Sequence, residues 1–96
     1  MNLLRDAPGA KPGTIVGIRP EHLDITPTGW ALKVEAVEML GAERLVYGRW
    51  AQGSDKEMVI VRTEESAVVP ALGATIHVTP RADRLHQFDA TSGKRL

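Results

Sequence analysis

Cysteine is absent from the 96 residues, so neither a disulfide framework nor a thiolate metal site can be built, and the composition suits a reducing compartment. Charge of one sign is lacking too: 12 Lys and Arg offset 12 Asp and Glu. That balance leaves no broad basic footprint for nucleic acid. No apolar run approaches the roughly 20 residues a membrane-crossing helix needs, and residues 1–6 hold too few consecutive apolar side chains for a secretory leader. Aromatics are few, with 2 Trp, 1 Tyr and 1 Phe. Trp30, Tyr47, Trp50 and Phe88 therefore read as core or interface residues rather than a face for stacking bases. The length admits one domain with a modest core.

The machinery of bond-breaking is equally thin. A phosphate cradle needs a Gly-rich turn leading into Gly-Lys-Ser/Thr, so that amides meet the phosphates and the Lys reaches the terminal group. Gly9-Ala10-Lys11-Pro12-Gly13-Thr14 has that composition in the wrong order, and Pro12 removes an amide. His22, His77 and His86 lack the close spacing metal ligands favour and read as edge or surface residues. Ser54, Ser66 and Ser92 have no neighbouring His to act as base. Glu64 and Glu65 point to opposite sides of an extended chain, which rules against an acid/base couple. The residues thus offer no catalytic, cofactor or metal site.

What is present is a succession of short strands punctuated by Gly and Pro. Residues 1–13 read as a junction, with Pro8, Gly9, Pro12 and Gly13 leaving no regular structure and no core residue expected over 6–13. Residues 14–96 read as the domain proper. The first strand, over residues 13–19, is cut at Pro20, which fixes its own φ and denies Arg19 a helical backbone. Arg19, Pro20, Glu21 and His22 then form a stiff polar corner at a strand exit, where recognition groups are commonly mounted. The competing view is a capped turn with an internal Arg19–Glu21 ion pair. A turn is expected at Pro27-Thr28-Gly29, with Asp24 and Thr26 facing water. From Trp30 to Leu40 apolar residues alternate with charged ones, but the parity flips between Ala36 and Val37, which suggests a bulged strand. An amphipathic helix is the rival reading of this stretch. Gly41 ends the element in either case. Strands are expected over 43–50, with Gly48 marking a bend or close backbone approach, over 58–62, with burial on both faces, over 74–79 and over 85–89. A polar loop over 51–56 links two of them, and a helical turn falls at 81–84. The pattern is all-β, a small OB-like barrel of roughly five or six short strands with at most one helical turn.

Four blocks carry a resemblance. Val16-Gly17-Ile18-Arg19-Pro20-Glu21-His22-Leu23, Val37-Glu38-Met39-Leu40-Gly41-Ala42-Glu43, Leu85-His86-Gln87-Phe88-Asp89 and Thr91-Ser92-Gly93-Lys94-Arg95-Leu96 together resemble the C-terminal transport-associated OB domain of ATP-binding subunits in carbohydrate ABC importers. Leu40-Gly41-Ala42-Glu43-Arg44-Leu45 and Tyr47-Gly48-Arg49-Trp50 are most similar to the sn-glycerol-3-phosphate branch. The resemblance implies a regulatory, dimer-forming domain that does not hydrolyse ATP. ATP and Mg would bind a separate ATPase core, and this chain would need no cofactor. The implied partners are a second copy, the ATPase core, the importer's membrane subunits and a cytoplasmic regulator, with no nucleic acid and no membrane insertion. The implied location is cytoplasmic, peripheral to the inner membrane. Arg19, Pro20, Glu21 and His22 match the family's strand-exit motif and Leu40, Gly41 and Glu43 a second turn, which makes them candidates for domain or subunit contacts.

One departure stands out: between Met1-Asn2-Leu3-Leu4 and the Arg-Pro-Glu-His block, where the family carries a further hairpin, this chain has only a Pro/Gly joint. A barrel short of a hairpin exposes an unpaired edge, which favours a homodimer or strand exchange. Two other functions remain open from the residues, a small-anion receptor built on Arg19 and nearby amides, and single-stranded nucleic-acid binding.

Overall fold

The computed structural model describes residues 1–52, 57–64 and 70–96. Residues 53–56 of the expected polar loop, with Ser54, and residues 65–69, with Glu65 and Ser66, lie outside the described residues. The chain order is β1 (Asn2–Leu4), β2 (Thr14–Ile18), a 3-10 turn (Pro20–His22), β3 (Leu23–Leu40), β4 (Glu43–Trp50), β5 (Met58–Glu64), β6 (Thr75–Pro80), a second 3-10 turn (Ala82–Arg84) and β7 (His86–Asp89). All pairings are antiparallel, in one sheet ordered β1-β2-β7 and another ordered β5-β4-β3-β6. The strands curl into a small all-β, OB-like barrel.

Strand β3 organises the larger sheet because it pairs with both β4 and β6. Its inward side chains Leu32 and Val34 are buried, as are Val46, Gly48 and Trp50 at period two on β4. The register shifts between Val34 and Ala36, so that Val34 faces Gly48 while Ala36 already faces Tyr47. Glu35 is the extra residue, and the bulge it makes turns Val37 inward opposite the buried Val46. The parity flip in the sequence is this bulge, and the helical alternative for residues 30–40 is overturned. Gly48 sits where a Cβ would stand 3.1 Å from the Leu32 Cβ, the close approach its place in the strand pattern suggested.

A second irregularity replaces the turn expected at Pro27-Thr28-Gly29. Val78 on β6 is the register partner of both Ile25 and Trp30, so residues 26–29 arch out of a strand that continues through them. The Thr26 hydroxyl bonds the Thr28 carbonyl and lies 2.7 Å from the Thr79 hydroxyl, which also donates to Thr28 at 3.1 Å. Gly29 has φ +133°, and a Cβ there would collide with the Val78 carbonyl. The sequence signal of a Gly-terminated turn is real, but hydroxyl and backbone bonds to β6 hold it inside the sheet.

The core lies between the two sheets, with Leu4, Val16 and Ile18 facing Leu32, Val46, Val59, Val61 and Val78. Fully burying one such side chain contributes roughly 1.5–3 kcal/mol. On β5 the burial is complete for Val59 and Val61 and partial for Met58 and Ile60. Trp50, 5% exposed, meets Trp30 edge to face, with ring centroids 5.5 Å apart at 74°.

Packing also extends ahead of Thr14. Residues 6–13 were not expected to supply a core residue, yet Ala7 is buried among the core side chains. The cause is the strand preceding it. Asn2, 5% exposed, donates from Nδ2 to the Ile60 carbonyl at 2.8 Å and accepts the Ile60 N–H at 2.9 Å. One carboxamide thus supplies the donor and acceptor a neighbouring strand would offer, linking β1 to the outer edge of β5. Removing it would leave two part-buried backbone groups of Ile60 without this partner, at up to about 1–3 kcal/mol for each such group. Glu57 clasps the chain just beyond β1: its carboxylate accepts the Arg5 N–H, the Asp6 N–H at 2.9 Å and the Trp50 Nε1–H at 2.9 Å. At the other end, Asp89 accepts the Thr91 and Ser92 N–H groups at 2.8 Å each, turning the chain so that Arg95 bridges to Phe88.

Gly29→Ala should destabilise the domain by on the order of 2–3 kcal/mol, read from urea unfolding, because neither φ nor the Val78 carbonyl can give way cheaply. Burial raises the Glu57 carboxyl, but the N–H donors of Arg5, Trp50 and Asp6 and the Arg5 charge outweigh it and hold its pKa below the ordinary value. A depressed folded pKa means the stabilisation is complete above about pH 4.3, the unperturbed glutamate value, and is lost as pH falls through the folded value. Glu57→Gln should therefore be less stable than the parent at pH 7, with the gap between the two urea midpoints narrowing as pH approaches 3.

Candidate protein-contact site

The corner that ends β2 forms because Arg19 is held extended (φ −74°, ψ 147°) by Pro20, after which one 3-10 turn closes with the Leu23 N–H on the Pro20 carbonyl. The turn packs against β5, and the Arg81 N–H donates to the His22 carbonyl at 3.0 Å. Arg19 and Glu21 do not form the internal ion pair weighed for this corner. Instead the Glu21 carboxyl sits below its ordinary pKa chiefly through its own backbone N–H, with the charges of His22, Arg19 and Arg62 adding to the effect and burial opposing it. Glu21 is exposed and ionised.

Beside the corner is an open depression of about 440 Å³ lined by Glu21, Leu23, Asp24, Ile25, Glu43, Arg62, Thr63, Glu64 and Arg81. Five segments contribute: the 3-10 turn, the start of β3, the start of β4, the end of β5 and the residue after β6. The two blocks singled out by sequence thus meet here through Glu21 and Glu43. Arg19, Pro20 and His22 lie outside the lining, on the corner that carries Glu21, while Leu40 and Gly41 sit at the exposed end of the β3–β4 hairpin.

Asp24, Arg62, Glu64 and Arg81 join the site without a sequence signal of their own. Register brings them in: Glu43 faces Glu64 directly across β4 and β5, and Leu23 faces Pro80 across β3 and β6. Arg62, diagonal to Glu43 on the same face, pairs with it. Arg81 grips Asp24 with two parallel bonds of 3.1 Å, and that carboxylate's bonds and charge raise the Arg81 pKa. Both guanidiniums of the depression are thereby engaged by carboxylates.

The lining combines charged side chains with the apolar Leu23 and Ile25. His22, His77 and His86 are carried on separate elements, the first 3-10 turn, β6 and β7. Among the described residues no three carboxylate or imidazole side chains converge to hold a metal ion. The buried Trp50 is a core residue, and Tyr47 and Phe88 are half-buried. Among the described residues no helix is long and apolar enough to cross a membrane.

Residues 16–88 match the family described as the TOBE domain. The chain is 36% identical over 98 aligned residues to the diacetylchitobiose uptake system ATP-binding protein MsiK of Streptomyces coelicolor, covering 84% of this chain and 26% of that protein. It is 40% identical to the sn-glycerol-3-phosphate import ATP-binding protein UgpC of Bordetella pertussis (85% and 23% covered) and 41% identical to that of Ruegeria pomeroyi (92% and 25%). The chain spans about a quarter of the length of these relatives.

Exposed ion pairs contribute little to folding. Asp24→Asn and Glu43→Gln should each shift unfolding stability by less than about 1 kcal/mol, as measured by urea titration. A larger loss would mean that the depression is part of the folding core rather than a surface.

Proposed function

This chain belongs to the TOBE domain family, and on that premise we propose that it is the regulatory and dimerisation domain of the ATP-binding subunit of an ABC importer for sn-glycerol-3-phosphate or related sugars. The observation that carries the reading is the 36–41% identity, over most of this chain, to proteins named as ATP-binding subunits of uptake systems for diacetylchitobiose and sn-glycerol-3-phosphate. In this role the chain breaks no bond. ATP and Mg bind a separate ATPase core, and this domain holds two copies together while the ATPase halves open and close. A ligand or cytoplasmic regulator that prefers one arrangement of the pair then shifts the equilibrium by its difference in affinity. The domain works in the cytoplasm, attached to the inner membrane through the importer's membrane subunits.

Arg19, Pro20, Glu21 and His22 at the corner, with Leu40, Gly41 and Glu43 at the hairpin, are the contact residues of this reading. What supports the reading is that Glu21 of the corner and Glu43 of the hairpin both line the depression, and that Met39 and Leu40 at the hairpin end are exposed. The small-anion alternative, built on Arg19 and nearby amides, gains no support from the depression, which Arg19 does not line and where carboxylates engage Arg62 and Arg81.

Sedimentation equilibrium of the full chain over a range of concentrations tests the reading. The expected result is a monomer–dimer equilibrium weakened by substitution of Leu40 by Asp; a monomer mass that does not change with concentration contradicts it.

A further inference from the structure

We propose that the free edge of β6 pairs with the β6 of a second copy of the chain, antiparallel and centred on His77. The proposal rests on the dimer put forward above, and adds a strand seam that the corner and the hairpin do not supply.

Four strands end the two sheets: β1 and β7 in one, β5 and β6 in the other. Three of them are closed off. Asn2 ties β1 to the Ile60 N–H and carbonyl of β5, and the first 3-10 turn packs against β5 as well. Along β7 runs the end of the chain, where the Asp89 N–H donates to the Lys94 carbonyl at 2.7 Å and the Leu96 N–H to the Gln87 carbonyl at 2.8 Å. Strand β6 has β3 on one side and, among the described residues, neither a strand nor a backbone hydrogen bond on the other.

Which backbone groups face that open side follows from the ladder with β3. The Val34 N–H donates to the Ala74 carbonyl at 2.9 Å, and the Val78 carbonyl points at Gly29. Backbone polar groups alternate sides along a strand, so Ala74, Ile76 and Val78 turn theirs to β3, whereas Thr75, His77 and Thr79 present N–H and C=O outward. Ala31, the register partner of His77, agrees: its carbonyl is taken on the far side by the Ala51 N–H at 3.0 Å.

An open row of this kind is a template for another strand. The usual protections are missing here. Residues 74–80 contain no Lys, Arg, Asp or Glu, Pro80 stands only at the end, and the register shift of this ladder lies in β3. Symmetry and charge select a second copy as the occupant. A two-fold axis at His77 sets that residue opposite its own counterpart and Thr75 opposite Thr79, so each outward N–H meets a carbonyl. Cross-strand threonine pairs are favourable. Arg81 comes opposite Gly73, and no like charges meet along the seam.

Because the chain has no cysteine, crosslinking reads the seam directly. Opposed residues of a hydrogen-bonded antiparallel pair stand roughly 5.5 Å apart at Cα, inside the roughly 4.4–6.8 Å that a disulfide spans. The full chain carrying His77→Cys is oxidised mildly beside one carrying Thr75→Cys, whose two copies would lie about 14 Å apart, four residues at about 3.4 Å each. Disulfide dimers should form at least tenfold faster with His77→Cys, although Thr75 is the more exposed position. In sedimentation equilibrium, His77→Pro removes an N–H that bonds nothing within the domain; it should weaken association at least tenfold while the urea midpoint stays near that of the parent. Equal crosslinking at the two positions, none at His77, or unaltered association of the folded His77→Pro variant would each overturn the proposal. If Leu40→Asp dissociates the dimer and neither His77 result appears, the hairpin contact stands and the seam alone is rejected. If His77→Cys crosslinks and Leu40→Asp changes nothing, the seam stands and the hairpin contact falls.

Discussion

The structure depends on a pinch between β3 and β6. Val78 is the register partner of two residues of β3 that lie five apart in sequence, Ile25 and Trp30. The intervening arch can exist only because Gly29 leaves the Val78 carbonyl room and adopts a φ that L side chains rarely do. From that point the 18-residue strand runs in two directions at once. Its first part carries Leu23, Asp24 and Ile25 toward the Arg-Pro-Glu corner. Its second enters the core through Leu32 and Val34, bulges at Glu35 and ends at the β3–β4 hairpin. The start of β3 lines one depression with the beginning of β4 and the end of β5.

Much of this was legible in the sequence because it follows from local chemistry. Pro20 terminates β2 by fixing φ and restricting Arg19, and the parity change near Ala36 records a bulge that any period-two strand must show when its buried face is preserved. Gly48 announced a close contact for the same reason. The arch at residues 26–29 was harder, since Pro-Thr-Gly is turn chemistry whether the flanking strands separate or stay joined. Hydroxyl bonds from Thr26 and Thr79, distant in sequence, decide the matter. The buried Asn2 was illegible: an Asn near a terminus reads as exposed until a partner strand supplies the N–H and C=O that its carboxamide meets. Ala7 follows it into the core.

The candidate site divides along the same line. Glu21 and Glu43 lie in blocks with a recognisable pattern, whereas Glu64, Arg62, Asp24 and Arg81 are ordinary polar residues until the sheet register sets them around one hollow. Their ion pairs are exposed and contribute little to stability, which leaves the rim free to be shaped by what it touches. Membership of the TOBE domain family fits this division of labour. The core of valines and leucines secures the frame, and the charged groups stand on its outside.

The proposed function has the depression and the β3–β4 hairpin end grip protein. Amide hydrogen exchange of the full chain, compared between dilute and concentrated solution, examines it most directly. The account predicts that added protection at high concentration concentrates in residues 19–25, 39–43 and 62–64. Protection confined to the β1-β2-β7 face, or none anywhere, would contradict it.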